Sequence, residues 1–395
     1  MNKLKYLIGL FLYKMAPQKR KRVVFTSFDG HYSDNTKAIS EKLHELHNDY
    51  EIVWLLDKKY YGIAPSYIKK IDIHSLKSFW VRGTAVAQVD NVYGFRAVFS
   101  VSKNPIKKVA NRFVAYMTRK KQPIFATMHG TPIKRIGRDQ IGNIVYDLNC
   151  YNTFLLVGDK FTEETLRRVT FYKIPTFTIG APRNDILFSK KSLSKNLLGI
   201  DESKKIVLYA PTFRNDGKDV EGKNVYRSGL SQLEELQFDD LFVALNKRFG
   251  GDWVLICRFH YHVSAMVDWQ KLAERYKGKI INGNRVDDMA TYLSATDLLI
   301  SDYSSCMHDF ALTLKPCFIY APDFINYSTK ERGFYIPLEE MPYPFASDSS
   351  GLINNIIGFN STCYENNVKC FLKRIGSADD GVASKRAVDF ILSKL

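Results

Sequence analysis

Two histidine-containing segments offer groups that could take part in acid–base chemistry. His129 lies in Met128–Lys134, MHGTPIK, directly after the strand-like run Pro123–Thr127. The glycine that follows it lets the backbone turn sharply and approach a ligand. A strand-end histidine is well placed as a general base because the pKa of imidazole lies near working pH. A histidine held in a structural turn is the alternative. The second segment, Arg258–His260, RFH, pairs an arginine and a histidine that could face one anion or form a surface pair.

Phosphate binding is predicted by hydroxyl residues between a strand and a helix. Ser301–Asp309, SDYSSCMHD, follows the apolar run Leu298–Ile300 and precedes a helical pattern at Phe310–Leu314. Ser304 and Ser305 would therefore lie where backbone N–H groups at a helix N-terminus bind phosphate. Ordinary helix N-capping by either serine is the alternative.

Two further polar segments end strand-like runs. In Tyr209–Arg214, YAPTFR, the proline stiffens the turn, Thr212 can donate a hydrogen bond and Arg214 can hold a phosphate. Ile179–Asp185, IGAPRND, offers Arg183 and Asp185 at another strand end. Ligands of open α/β sheets lie outside the carboxyl ends of the strands, so these segments favour one ligand site. The sequence has no HExxH, GxGxxG or Walker A pattern, and we expect neither a metal nor a cofactor.

The elements that position these segments alternate between strands and helices. Strand-like runs are predicted at 22–28, 50–56, 153–157, 177–179, 205–209, 253–257, 298–301 and 317–320. Helical patterns include one through Ala38, Ile39, Leu43 and Leu46, and others at 238–249 and 287–295. Apolar strands that alternate with helices favour parallel pairing. The 395 residues therefore predict an α/β protein with two doubly wound, Rossmann-like domains facing a cleft, residues 1–190 and 191–395.

Charge is unevenly distributed along the chain. Lys and Arg total 57 against 41 Asp and Glu, a formal net charge of +16, which favours polyanionic partners. Residues 1–22 carry no acidic residue, and neither does Lys103–Lys121, where apolar residues recur at helical spacing between the basic ones. A basic amphipathic helix suits an anionic membrane surface, whereas a helix with one face in the core is the alternative.

The N-terminus and the cysteines indicate a compartment. Leu4–Tyr13 is apolar but interrupted by Lys5, and a membrane-spanning helix needs about 20 apolar residues. A short helix lying on a membrane surface is the better interpretation. The six cysteines include no CxxC pair, so a zinc ribbon or a disulfide framework is not expected. A reducing cytoplasm is the simplest setting.

Taken in chain order, these segments resemble one known family. MHGTPIK, GAPRND, YAPTFR, RFH and SDYSSCMHDF, followed by KPCFIYAPD and ERGFY, are similar to motifs of the CDP-glycerol glycerophosphotransferases, the teichoic acid primases and polymerases. The opening VVFTSFDGHYSDNTKAI is similar as well, so the resemblance covers roughly residues 22–340. One departure is Tyr261, which follows His260 where the family usually has proline.

The resemblance implies a GT-B-like fold and a role for each candidate residue. An acceptor hydroxyl would attack the glycerol-bearing phosphorus of a CDP-activated donor and release CMP. His129 would accept the hydroxyl proton, and Gly130, Thr131 and Pro132 would belong to its loop. Contacts to the donor would come from a larger group: Arg183, Pro211, Thr212, Arg214, Arg258, His260, Ser304, Ser305 and Asp309. Arg258 and His260 would face the pyrophosphate and stabilise the departing CMP, with His260 as the second catalytic residue beside His129.

The resemblance also implies partners. The donor would be CDP-glycerol or CDP-ribitol, and the acceptor a lipid-linked glycan or a growing surface polymer such as teichoic acid or capsule. The first domain would face the acceptor and the membrane, the second would bind the CDP-alcohol, and the protein would lie peripherally on the cytoplasmic face of the cell membrane. A sugar-nucleotide glycosyltransferase of the same fold is one alternative. A basic nucleic-acid-binding protein is another, although the sequence carries no RNP, zinc or helix-turn-helix signature, and no nucleic-acid partner is expected.

Overall fold

A computed structural model of the chain forms two compact units. The structure describes residues 3–91, 121–139, 153–169, 174–189, 195–212, 233, 235–259, 261–327 and 333–395. The first unit comprises Met1–Thr131, Ile136–Asp185 and Ile375–Leu395, and the second comprises Pro132–Arg135 and Ile186–Arg374. The C-terminal segment Ile375–Leu395 thus returns to the first unit, which differs from the division at residue 190 expected from the sequence.

The first unit is built on a seven-stranded parallel sheet. Its strands are β1 Arg22–Thr26, β2 Glu51–Leu56, β3 Lys69–Asp72, β4 Ala87–Asn91, β5 Ile124–Thr127, β6 Thr153–Val157 and β7 Thr176–Thr178. Their spatial order is β3-β2-β1-β4-β5-β6-β7, so the order reverses between β1 and β4. With right-handed crossovers this order places helices on both faces of the sheet, the doubly wound arrangement.

The α-helices of the first unit are α1 Lys3–Met15, α2 Asp34–Leu46, α3 Leu76–Thr84, Lys160–Val169 and Ala383–Leu392, with Ser361–Ile375 ending at the boundary. Neighbouring residues of one strand supply the two faces of the sheet. Phe25 and Trp54 belong to one buried cluster, whereas Val24 and Val53 belong to another. Since strand side chains alternate in direction, a continuous apolar run predicts a sheet covered on both sides.

The second unit is built on a six-stranded parallel sheet. Its strands are β8 Lys205–Ala210, β9 Trp253–Cys257, β10 Ile280–Asn282, β11 Leu298–Ser301, β12 Cys317–Tyr320 and β13 Phe345–Ala346. They lie in the order β10-β9-β8-β11-β12-β13, which reverses between β8 and β11. The α-helices are Phe238–Phe249, Tyr261–Ser264, Trp269–Arg275, Met289–Ala295, Cys306–Ala311, Phe324–Asn326, Ser349–Ile357 and Ser361–Ile375.

The predicted fold class, α/β with two doubly wound parallel sheets, is confirmed. Two helices have bounds that differ from the prediction. The helix predicted at 287–295 begins at Met289, and the one predicted at 310–314 spans Cys306–Ala311. Strands β3, β4, β10 and β13 were not predicted. Within the described ranges, no helix is long and apolar enough to cross a membrane.

Candidate active site

His129 lies two residues beyond the end of β5, at the carboxyl edge of the first sheet. Its side chain is exposed, and its ring packs edge-to-face on Phe28, with ring centroids 5.6 Å apart. Phe28 follows β1, and β4 lies between β1 and β5 in the sheet. The imidazole therefore stands beside the point where the strand order reverses, which is where open α/β sheets bind ligands.

The loop that carries His129 is fixed on both sides. The Asn35 side-chain amide donates to the carbonyl of Met128 at 2.7 Å, in a buried contact. On the other side, the Thr131 hydroxyl donates to Oδ2 of Asp159 at 2.7 Å. Between them Gly130 has a φ of +139°, which L side chains rarely adopt. This backbone conformation explains why a glycine follows the histidine.

The MHGTPIK motif is divided between the two units. Pro132 is buried and begins the short segment Pro132–Arg135 that belongs to the second unit. There the Arg135 N–H donates to the Gly333 carbonyl at 2.9 Å, and the Tyr335 N–H donates to the Ile133 carbonyl at 3.0 Å. The motifs MHGTPIK and ERGFY, distant in sequence, are thus joined by backbone hydrogen bonds.

Arg183, which the resemblance assigned to the donor pocket with Pro211 and Thr212, belongs to the first unit, and its contact with the donor stays a prediction. Its Nη1 donates to both carboxylate oxygens of Asp34, at 3.1 and 3.0 Å, and both side chains are largely buried. Its backbone N–H donates to the Asn35 side-chain oxygen at 3.1 Å. Arg183 is therefore an ion-paired residue of the same loop cluster as His129.

Asp185, the other candidate in the IGAPRND segment, has a structural role. Its carboxylate accepts the backbone N–H groups of Ala383 and Ser384, at 2.9 and 2.8 Å, and the Ser384 hydroxyl. These are the first residues of the helix Ala383–Leu392. Asp185 thus holds the start of the C-terminal helix against the end of the first sheet.

Pro211 and Thr212 follow β8, next to the point where the order of the second sheet reverses. The Thr212 N–H donates to Oδ1 of Asp302 at 2.8 Å, and the Ser301 hydroxyl donates to the Ala210 carbonyl at 2.6 Å. Asp302 is fully buried. These hydrogen bonds tie the segment that follows β8 to the segment that follows β11. Asp302, which the sequence analysis did not single out, makes the contact with Thr212.

Ser304, Ser305 and Asp309 lie at the start of the helix Cys306–Ala311. The Ser304 hydroxyl accepts the Cys306 N–H at 3.4 Å, while Ser305 directly precedes the helix and makes no side-chain capping hydrogen bond. Asp309 is in the first turn and is 8% exposed. The structure thus places both serines between β11 and a helix, as expected; their contact with phosphate stays a prediction.

Arg258 has an arrangement that the sequence did not predict. Its Nη1 donates to the carbonyls of Gly283 and Val286, at 2.8 and 2.7 Å, and its Nη2 to the Asp287 carbonyl at 2.5 Å. The guanidinium also lies 4.9 Å from the centre of the Tyr292 ring. With its donors directed at three carbonyls, Arg258 holds the segment 283–287 in place. This geometry gives Arg258 a supporting role for that segment, and its contact with the pyrophosphate stays a prediction.

His308 is structural. It is buried, its Nδ1 is 3.0 Å from the Tyr343 hydroxyl, and that hydroxyl donates to the Met307 carbonyl. Burial lowers the pKa of His308 to about 3. Burial also raises the pKa of the nearby Cys306 thiol to about 11, so this cysteine is a poor nucleophile.

Two candidate site residues, Arg214 and His260, lie outside the described residues, and so do residues 103–120 of the basic stretch. The sequence analysis named neither Asp34, Asn35 nor Asp159, although the first two stand in the quoted run VVFTSFDGHYSDNTKAI. Across the described ranges, no group of three or more His, Cys, Asp or Glu side chains is placed to hold a metal ion.

Comparison with known proteins agrees with these motifs. Residues 10–393 match the model of the family CDP-glycerol:poly(glycerophosphate) glycerophosphotransferase. The chain belongs to this family. A teichoic acid poly(glycerol phosphate) polymerase of Bacillus spizizenii is 28% identical over 98% of this chain and 96% of its own length. Another, of Staphylococcus epidermidis, is 26% identical over 94% of this chain, which spans about half of that protein.

The fold is also found in a solved structure. The wall teichoic acid polymerase TagF superposes with a TM-score of 0.75 at 24% identity, over 99% of this chain and 93% of the other. At that identity the likeness concerns the fold, and it supports the GT-B-like class predicted for this member of the family.

Proposed function

We propose that this glycerophosphotransferase-family member moves glycerol phosphate from CDP-glycerol to a hydroxyl of a lipid-linked glycan or a growing surface polymer. The acceptor oxygen attacks the phosphorus that bears glycerol, and its proton passes to the imidazole of His129. A P–O bond forms to the acceptor while the bond to the CMP oxygen breaks, so CMP leaves. The protein accelerates such a transfer mainly by positioning the reactants and stabilising the charge of the transition state.

The observation that carries this proposal is an exposed histidine on a rigid strand-end loop. Asn35 holds the peptide before His129, and Asp159 holds Thr131 after it. A general base must be within hydrogen-bond reach of the proton that it takes, and a loop fixed on both sides supplies that geometry. The same carboxyl edge carries Arg183, a cation that Asp34 partly neutralises.

For the donor we propose the second unit. The crevice between β8 and β11 is bordered by Pro211, Thr212, Ser304 and Ser305, and small hydroxyl residues before a helix suit a phosphate ligand. Arg214, His260 and Asp309 complete the proposed donor group, with Arg258 supporting the segment 283–287. CDP-ribitol is the alternative donor, and the reaction is the same for both.

We further propose that the protein works peripherally on the cytoplasmic face of the membrane, with α1 as one point of attachment. One side of α1 packs closely on α3. The approach is so close that a Cβ added to Gly83 of α3 would lie 2.2 Å from the carbonyl oxygen of Tyr13 in α1. The opposite side leaves five apolar side chains exposed: Leu4, Leu7, Ile8, Phe11 and Met15. Exposed lysines at positions 5, 14 and 19 accompany them, and a basic helix with an exposed apolar stripe suits an anionic bilayer.

The experiment that tests the reaction is CMP release. Purified protein is offered CDP-glycerol or CDP-ribitol with a lipid-linked disaccharide acceptor, beside His129→Ala. We expect CMP from the wild type, a drop of at least about 10²-fold in the variant, and a preference that identifies the alcohol.

Two alternatives are tested in parallel. Turnover of UDP- or GDP-sugars without CMP release would support a glycosyltransferase of the same fold. A gel shift with a steep salt dependence, in the absence of any turnover of CDP-alcohols, would support a nucleic-acid-binding protein instead.

A further inference from the structure

Asn35 is placed to control the position of His129 although it lies far from it in sequence. Its side chain is 1% exposed and bridges two loops: Nδ2 donates to the Met128 carbonyl at 2.7 Å, and Oδ1 accepts the Arg183 N–H at 3.1 Å. One amide thus satisfies an acceptor on one side and a donor on the other. Only asparagine, among side chains of this size, offers both groups in that arrangement.

The residue before Asn35 indicates that this bridge is held under constraint. Asp34 has a φ of +66°, in the left-handed region that L residues rarely adopt. Its Oδ1 accepts the Asn35 N–H at 2.6 Å, and both its oxygens accept from Arg183. Such backbone conformations persist where surrounding contacts determine them, and they cluster at functional sites.

We propose that Asn35 is a positioning residue for the transfer reaction and acts through His129. Its amide fixes the peptide that carries the imidazole and ties it to the Arg183 loop, so that the general base and the adjacent cation keep one geometry. This inference rests on the proposed role of His129 as the base. A misplacement of about 1 Å in such a group can cost about 10²-fold in rate.

The substitutions separate positioning from general stability. Asn35→Asp keeps an oxygen for the Arg183 N–H but cannot donate to the Met128 carbonyl when ionised, and Asn35→Ala loses both contacts. Ser40→Ala is the matched control on the same helix, because the Ser40 hydroxyl is buried and accepts the Trp54 indole N–H at 3.1 Å, away from His129. All variants are compared by kcat, donor KM and unfolding midpoint.

We expect Asn35→Ala and Asn35→Asp to lower kcat at least about tenfold with a donor KM within about twofold of wild type, and Ser40→Ala to leave kcat unchanged. In a His129→Ala background, Asn35→Ala should cause little further loss, because the two residues act as a unit. Unchanged kcat in Asn35→Asp, or an equal fractional loss in both backgrounds, would overturn the proposal.

A measurement without turnover keeps this inference separate from the proposed function. Amide hydrogen exchange of residues 128–131 should become faster in Asn35→Ala and stay at the wild-type rate in Ser40→Ala. If the wild type releases no CMP while exchange changes in this way, the reaction is wrong and the positioning role of Asn35 stands. Unchanged exchange in Asn35→Ala would overturn that role whatever the reaction.

Discussion

The Thr131 hydroxyl donates to Oδ2 of Asp159, and the same carboxylate caps the helix Lys160–Val169 by accepting the Thr162 N–H at 2.6 Å. The segment that follows His129 is therefore attached to the start of a helix. A helix start is a rigid point because the capping side chain satisfies one of its unpaired N–H groups. The position of the base thus depends on Asp159, a side chain in the loop that follows the next strand of the sheet, β6.

Thr131→Val should reduce turnover more than stability. The substitution removes one buried hydrogen bond but leaves Asp159 with its Thr162 contacts, so we expect a loss of about 1 kcal/mol in the free energy of unfolding. The freed loop should lower kcat by about tenfold or more. CMP release and urea denaturation measure the two effects. Thr131→Ser, which keeps the hydroxyl, is the matched control, and equal kcat in the two variants would contradict the expectation.

Arg258→Lys distinguishes the observed role of the arginine from the one expected from the sequence. Lysine cannot reach three carbonyls in a fixed fork, so the segment 283–287 should loosen and the unfolding free energy should fall by about 2 kcal/mol without any ligand. The measurement is a denaturation midpoint beside the donor KM. A stable variant with a much higher KM would instead support direct contact with the pyrophosphate.

The sequence predicted the two-sheet architecture because apolar strands and amphipathic helices leave local patterns. It missed strands such as β3, KKID, and β4, AQVDN, because polar residues interrupt the apolar pattern of both strands. In β4 the polar side chains are buried, and hydrogen bonds to other side chains compensate for their burial. Arg82 donates to Asp90 and Gln88, with both partners buried. Hydropathy does not record such pairing.

At the site, the sequence predicted strand-end positions but not which side chains hold others. His129, Thr212 and the two serines lie at strand ends as expected, since motif and strand are neighbours along the chain. Asn35 and Asp302 act across loops from different strands, and Arg183 lies 148 residues from the side chain that accepts its N–H. The partners of Arg258 likewise appear only when the strand and the loop are folded.

His308 should make the second unit less stable at low pH. Its pKa is lowered by burial from an ordinary value near 6.5 to about 3, so the unfolded chain binds an extra proton between these values. The free energy of unfolding therefore has its full value above about pH 6.5 and falls by about 1.4 kcal/mol per pH unit as the pH drops toward 3. Denaturant midpoints from pH 7 to pH 4 measure it. His308→Gln should show a shallower dependence, and an equal slope in both proteins would contradict this account.

Asp185→Ala should release the C-terminal helix. The carboxylate accepts two backbone N–H groups at the start of Ala383–Leu392, and loss of a capping side chain costs about 0.5–2 kcal/mol. Hydrogen exchange of 383–392 should rise, and Asp185→Asn, which keeps one acceptor oxygen, should show a smaller rise. Asp389→Ala is the control, because it removes the same charge from an exposed pair with Lys385 within this helix. A similar rise in Asp389→Ala would mean that charge, rather than capping, holds the helix.

Leu7→Glu with Phe11→Glu should abolish attachment to anionic vesicles. These side chains are 54% and 65% exposed, and burying each in a bilayer contributes about 1.5 kcal/mol or more, so their replacement should weaken partitioning on the order of a hundredfold. Flotation with phosphatidylglycerol vesicles measures it. Val243→Glu with Ile325→Glu is the control, because it adds the same charge at residues that are 67% and 78% exposed in the second unit.

Equal loss of flotation in both double variants would indicate a purely electrostatic attachment. A change of oligomeric state without loss of flotation would assign the apolar stripe of α1 to contact with a second copy. Loss confined to the α1 variant, with CMP release from a soluble acceptor unchanged, would place this helix at the lipid surface and separate attachment from chemistry.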